Sequence, residues 1–324
     1  MWPLDRVARA ERRLTAPTRC RSPAYPGRRA TFSALAWTDC RRPSSSFWQE
    51  VAVVQERRLW QRTVVGQPAR RRWHVAAVML AAGMAAAVPA AATTPSAVPA
   101  SVALLMVLSV AAVRSESQPV RQSVLLAELL FVAVAVKFLG LWPAPAAVAV
   151  IVAWWLAGRG TGEHRWAPWL RRGRWTRDLP WLVAGMVVVT AGALAAWQRL
   201  FDGRLPREYV DAARGQQWWI IVLAGVAFSL LNAAVEEVVF RGVLMSALSQ
   251  VLGLPAAVVL QALAFGVLHL HGVPDGPVGM VMAGVWGLLL GVLRLRSRGL
   301  LAPYVTHIAA DATIVVLMLP TLTS

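Results

Sequence analysis

The sequence predicts an all-α fold, a polytopic membrane helix bundle of about eight or nine spans by the ~20-residue ruler. Three observations predict it. Of 324 residues, 57% are hydrophobic and 15% charged, whereas a soluble domain is roughly half apolar and about a quarter charged. Several apolar runs approach the ~18 to 20 residues a spanning helix needs, which also excludes disorder throughout. Finally, the basic excess, 33 Lys and Arg against 16 Asp and Glu for a net charge of +17, lies largely outside the runs, in the amino-terminal stretch and in the gaps between them.

Residues 1–73 are rich in Arg, Ser and Pro without helical period and read as a disordered basic cytoplasmic tail, or as a misassigned start. The tail lacks the apolar core of a secretory signal. Its cysteines, Cys20 and Cys40, neither frame a disulfide-rich fold nor have metal-ligand spacing, and are read as free thiols. The runs are then Val75–Ala92, Ala97–Val113, Ser123–Leu141, Ala144–Ala157, Trp181–Trp197, Trp218–Val235 and beyond, Pro255–Leu270, Val278–Leu293 and Leu300–Leu319. Gaps holding Arg114 and Arg121, then Arg159 through Arg177, then Arg294, Arg296 and Arg298 alternate with gaps nearly free of arginine. This positive-inside alternation puts the amino terminus in the cytoplasm. Residues 198–217 fit it poorly, carrying four arginines and three acids, and read as a mixed-charge interfacial segment. Of the 16 tryptophans, Trp154, Trp155, Trp166, Trp169, Trp175, Trp181, Trp197, Trp218 and Trp219 lie near span ends, where indoles anchor at headgroup level.

Ionisable groups inside apolar runs are costly and so mark function by default. Glu128 and Lys137, the only lysine, are nine residues apart and face opposite sides of one helix, so they do not pair. The last third is richer. Glu236, Glu237 and Arg241 interrupt an apolar run from Trp218 to Leu248. Glu237 and Arg241, at i and i+4, share a face and can pair, whereas Glu236 is rotated by ~100° and is free to face another helix. Phe265 and His269 form a second i, i+4 pair, and His307 and Asp311 a third. His271 lies off the face of His269, so the two make a poor chelating pair. Each pair alone is equally well a structural feature. Together they put polar groups on three apolar helices, which burial favours only if they converge. Such a cluster can activate water and stabilise an oxyanion, or hold a divalent metal.

These residues resemble the CAAX-protease and bacteriocin-processing family of intramembrane glutamic endopeptidases, which includes the type 2 CAAX prenyl endopeptidase. The resemblance rests on Glu-Glu-x-x-x-Arg (Glu236, Glu237, Arg241), Phe-x-x-x-His (Phe265, His269) and His-x-x-x-Asn/Asp (His307, Asp311), in order on consecutive apolar segments. It implies that Glu236, assisted by His269, activates the hydrolytic water, that His307 and Asp311 line the oxyanion side, and that Glu237 with Arg241 braces the helix. It implies neither metal nor other cofactor. Asp311 stands where the eukaryotic prenyl proteases have Asn. An ionised Asp cannot donate to an oxyanion, so Asp311 either stays protonated or orients and charges His307.

The domain expectation is therefore a tail (1–73), accessory transmembrane helices (74–217) and a CAAX-protease-like catalytic membrane domain (218–320). The function expectation is an endopeptidase hydrolysing a peptide bond of a membrane-associated or exported peptide or protein, in contact with the lipid bilayer and with no nucleic-acid partner. The Ala, Arg, Val and Trp bias points to a high-GC bacterium, where prenylated substrates are not expected. The alternative is a non-proteolytic scaffold or bacteriocin self-immunity protein using the same cluster. A transporter is disfavoured by the lack of an inverted repeat or paired broken helices.

Overall fold

The computed structural model describes residues 118–135, 141–158, 169–201, 203 and 205–323, with isolated positions 103, 106, 107, 109 and 110. The expected tail, the run Val75–Ala92, most of Ala97–Val113, Lys137 and Trp166 lie outside the described residues. Among those described there is no strand. The helices are α1 (Gln118–Ala135), α2 (Ala144–Gly158), α3 (Leu179–Leu200), α4 (Arg207–Ala213), α5 (Trp218–Glu236), a π-helical segment (Glu237–Leu244), α6 (Met245–Leu252), α7 (Leu254–Leu268), α8 (Gly276–Ser297) and α9 (Leu301–Thr323). Each apolar run from Ser123 onward corresponds to a helix.

Four helical stretches are long and apolar enough to cross a membrane: Leu179–Leu200, Trp218–Leu252, Gly276–Ser297 and Leu301–Thr323. Many of their apolar side chains, such as Trp181, Val188, Leu223 and Val316, are exposed. An all-helical bundle of this kind satisfies its backbone internally and offers apolar side chains to lipid.

Local chemistry sets the helix ends. Proline lies in the first turn of α3, α7 and α8, where its fixed φ suits the helix and its missing N–H is not needed. Arg199 ends α3, and Arg294 with Arg296 ends α8, each complementing the negative end of the helix dipole. The 35-residue stretch Trp218–Leu252 would span about 50 Å at ~1.5 Å per residue, well beyond a ~30 Å hydrocarbon core. It stops at Gly253, whose φ of 91° is open to glycine and strained for other residues.

Residues 198–217 contain the short surface helix α4, with the exposed Asp211–Arg214 pair (3.3 Å). Two arginine-rich gaps that the alternation assigns to one side are hydrogen-bonded together: Arg174 N donates to Ser297 O (2.7 Å) and Leu300 N to Arg171 O (2.8 Å). Trp155, Trp175, Trp181, Trp218 and Trp219 are exposed as interface anchors require. Trp169 and Trp197 are not anchors. Both are buried, because Trp169 packs on the bare face of Gly242 and Trp197 on Gly203.

The main core gathers Val124, Leu130, Phe240, Leu248 and Phe265 from α1, the π segment, α6 and α7. A second cluster joins Leu179, Met186, Leu290, Leu293 and Ala302. Between α7 and α8 the backbones nearly touch, since a Cβ on Gly266 would lie 2.7 Å from Met280 O. Gln261, fully buried on α7, donates to Gly287 O (2.8 Å) across the same seam.

Candidate active site

The polar groups of α5, the π segment and α9 meet around one imidazole. His307 is buried on α9, and its Nδ1 donates to Glu237 Oε1 at 2.8 Å. Glu237 Oε1 also accepts from Arg241 NH1 at 2.9 Å. On the other side of the ring, Nε2 lies 3.4 Å from Glu236 Oε2 and 3.7 Å from Asp311 Oδ1. Glu236 and Glu237 therefore straddle the same side chain. The sequence reading had them diverge; both keep α-helical dihedrals and still reach the two nitrogens of one ring, just where the π segment begins at Glu237. Such π-helical turns often occur at functional sites.

Arg241 is 1% exposed. Its guanidinium lies 4.4 Å from the Phe265 ring centroid, a cation–π contact in a site without water screening. Gly287 makes room for it, as a Cβ there would lie 3.4 Å from Arg241 NH2 and 3.2 Å from Phe265 Cδ1. Phe265 also contacts both imidazoles, with centroid separations of 4.7 Å to His269 and 5.9 Å to His307. His269 caps α7, and its Nδ1 donates to Phe265 O at 2.9 Å. A carbonyl can only accept, so Nδ1 carries the proton and Nε2 is left for other partners. No hydrogen bond or ion pair joins His269 to Glu236 among the described residues; Phe265 links His269 to His307 instead.

From the ladder of spans alone, His269 and His307 fall at different depths. The 15 residues of α7 cover about 22 Å at ~1.5 Å each, less than the ~30 Å core. This short helix ends level with the cluster, which lets one phenyl ring touch both histidines.

Three buried carboxyl groups, Glu236, Glu237 and Asp311, thus face one guanidinium and the His307 imidazole. Glu237 is held by two donors. Asp311 Oδ2 accepts from Asn232 Nδ2 at 3.0 Å. Glu236 Oε2 and Glu237 Oε2 are both buried with no hydrogen-bond partner, but Glu237 is engaged through its Oε1. Among the described residues, no three His, Cys, Asp or Glu side chains are arranged to hold a metal ion.

The sequence reading missed Asn232, Trp142, Tyr209 and Trp286. Asn232 was visible as the polar residue four before Glu236, on the same helical face, but an uncharged amide carries a weaker signal than an ionisable group. Trp142 Nε1 donates to Asn232 Oδ1 (2.6 Å), and Tyr209 OH donates to Trp142 O (3.1 Å). Burial, and secondarily the charges of Glu208 and Glu236, pushes the Tyr209 phenol above its ordinary range, so it remains a donor. Trp286 meets His307 edge-on at 6.5 Å. Glu128 lies apart from the cluster and accepts from Ser109 Oγ (2.6 Å).

Residues 217–313 match the family model described as Type II CAAX prenyl endopeptidase Rce1-like. No curated protein and no solved structure matches the chain. The match covers under a third of the sequence, from the residue before α5 to just past Asp311, and contains every residue of the three motifs. Through this segment, in which α5, the π segment, α7 and α9 bring those motif residues together, the chain is similar to the type II CAAX prenyl endopeptidases.

Proposed function

We propose that the chain is an intramembrane endopeptidase that hydrolyses a peptide bond with a water activated by Glu236. The observation that carries this is the buried Glu236 Oε2, which has no hydrogen-bond partner, while Glu237, whose Oε2 is likewise unpartnered, is held through Oε1 by two donors and Asp311 through Oδ2 by Asn232. In this reading the water gives its proton to Glu236, whose position beside His307 Nε2 (3.4 Å) stabilises the charge that moves. His269, with Nδ1 committed to Phe265 O, turns Nε2 toward the reactants and assists. His307 and Asp311 form the side on which the tetrahedral oxyanion develops. Glu237 and Arg241 hold His307 and the helix in register. The catalytic domain spans residues 218–320, with the preceding helices accessory and the amino terminus in the cytoplasm.

The substrate class is a peptide or protein presented from the membrane. Exported peptides, leader sequences and regulatory membrane proteins fit a bacterial chain better than a prenylated carboxy terminus. Purified protein in detergent, tested on a peptide library with wild type, Glu236→Gln and His269→Ala, each with and without a chelator, decides the reading. Loss of cleavage in both variants with no effect of the chelator supports it. Cleavage by Glu236→Gln at the wild-type rate sinks it, and loss on chelation reassigns the same residues to a metal site. The scaffold alternative draws on the density of buried bonds around His307, and it predicts that Glu236→Gln retains biological function.

A further inference from the structure

Asp311 has two oxygens with different neighbours. Oδ1 faces His307 Nε2 at 3.7 Å, and Oδ2 accepts from Asn232 Nδ2 at 3.0 Å. Asn232 is itself buried and has its amide orientation fixed, because the Trp142 indole N–H can only donate and is 2.6 Å from Asn232 Oδ1. With its oxygen held by the indole, Asn232 must present its NH2 group to Asp311. Tyr209 in turn donates to the Trp142 carbonyl (3.1 Å), tying α4 to the turn before α2. The chain of bonds runs from outside the matched segment, at Trp142, to the centre of the cluster.

We propose that Asn232, held by Trp142, is a positioning residue that sets which atom of residue 311 is presented to His307. This rests on the reading of the cluster as a hydrolytic site. Because Asn232 supplies a donor, the atom of residue 311 that meets it must be an acceptor. With Asp311 the atom left for His307 is then the second carboxylate oxygen, which faces Nε2 at 3.7 Å as a negative acceptor. An amide at position 311 would instead use its only oxygen on Asn232 and turn its NH2 toward His307, placing donor against donor whenever Nε2 carries a proton. The polarity of position 232 and the identity of position 311 therefore go together. Asn232 contacts no reacting atom in this scheme.

A reciprocal exchange tests it. Asp311→Asn alone and Asn232→Asp alone each break the match, the first by presenting NH2 to His307 and the second by setting two carboxyl groups against each other. The double variant Asn232→Asp/Asp311→Asn restores it. The carboxylate then at position 232 accepts from both the Trp142 indole and the amide at position 311, and the oxygen of that amide again faces His307. In the peptide-cleavage assay each single variant is expected to lose at least tenfold in kcat with little change in KM, and the double to regain at least tenfold over the worse single.

Independently of any substrate, the chain has only 5 histidines, so histidine-15N labelling resolves the His307 ring nitrogens, identified by loss of their signals in His307→Gln. Their shifts are expected to move in Asn232→Leu and in Asp311→Asn and to return toward wild type in the double variant. An unmoved His307 signal in Asn232→Leu, or a double variant no better than the worse single, overturns the proposal. Wild-type cleavage by Glu236→Gln with the His307 shifts behaving as expected would instead remove the hydrolytic reading and leave the positioning of Asp311 intact.

Discussion

The buried pair of Arg241 and Glu237 is the sharpest test of how the cluster is held. In Arg241→Met the side chain keeps its length and helical preference but loses its charge. The variant gives up the bond to Glu237 Oε1 at 2.9 Å, and hydrogen bonds to charged groups contribute about 1.5–3 kcal/mol. It also gives up the contact with the Phe265 ring at 4.4 Å, which contributes about 2 kcal/mol where solvent is excluded. Glu237, 2% exposed, is then left with His307 as its sole donor. Removing one member of a buried pair costs about 3–5 kcal/mol for this reason. We therefore expect Arg241→Met to lower the unfolding free energy by about 4 kcal/mol, near a thousandfold in the equilibrium constant at about 1.4 kcal/mol per decade. Helix content followed by circular dichroism during SDS titration from mixed micelles measures it. Glu237→Gln/Arg241→Met, which removes both charges, should be more stable than Arg241→Met by at least about 1 kcal/mol, since no unpaired carboxylate remains. A single-variant cost below about 1 kcal/mol, or a double variant whose cost is the sum of the two singles, refutes the reasoning.

Two further outcomes follow from backbone geometry. Gly266→Val puts a Cβ 2.7 Å from Met280 O and 3.1 Å from Gly284 Cα, so α7 and α8 must separate; the expected loss is about 1–3 kcal/mol in the same titration, while Gly185→Val, with nothing within 4 Å of its Cβ, serves as the neutral control. Arg298 ends α8 in the left-handed region at φ 53°, so Arg298→Gly should raise the thermal midpoint by relieving about 1 kcal/mol of strain, and an unchanged or lower midpoint would contradict that assignment of strain.

The apolar runs made the helices legible because lipid-facing and buried positions are both apolar, so the run length reads the span directly. The same fact hid the packing. Nothing in composition separates Trp169 and Trp197, which are buried on glycines, from Trp181, which is exposed. The ionisable members of the cluster stood out because a charge is conspicuous against valine and leucine. Asn232 and Trp142 did not, since an amide costs less to bury than a charge and an indole passes for an interface anchor. Their connection crosses 90 residues of sequence, and no local spacing encodes it. The depth of His269 was hidden for a related reason: a run of apolar residues does not reveal that α7 ends at Leu268 and turns there.

Two adjacent acids reach one imidazole where the π segment begins. In an α-helix consecutive side chains diverge by ~100°, and Glu236 and Glu237 both keep α-helical dihedrals, so they approach His307 from different directions and meet opposite nitrogens of its ring. Bonding from i to i+5 in place of i to i+4 widens the coil and reduces the rotation per residue. From Glu237 onward the chain adopts that geometry, and Glu237 reaches Nδ1 while Glu236, the last residue of α5, lies beside Nε2. The wider turn also brings the side chain at i+4 more nearly into line with that at i, which suits the Arg241 to Glu237 bond. Consecutive acids can then do different work. In the proposed mechanism Glu237, fixed at Oε1 by two donors, orients the imidazole, and Glu236, which lies beside Nε2, exchanges the proton. The division depends on both acids reaching one ring, Glu237 at Nδ1 and Glu236 beside Nε2.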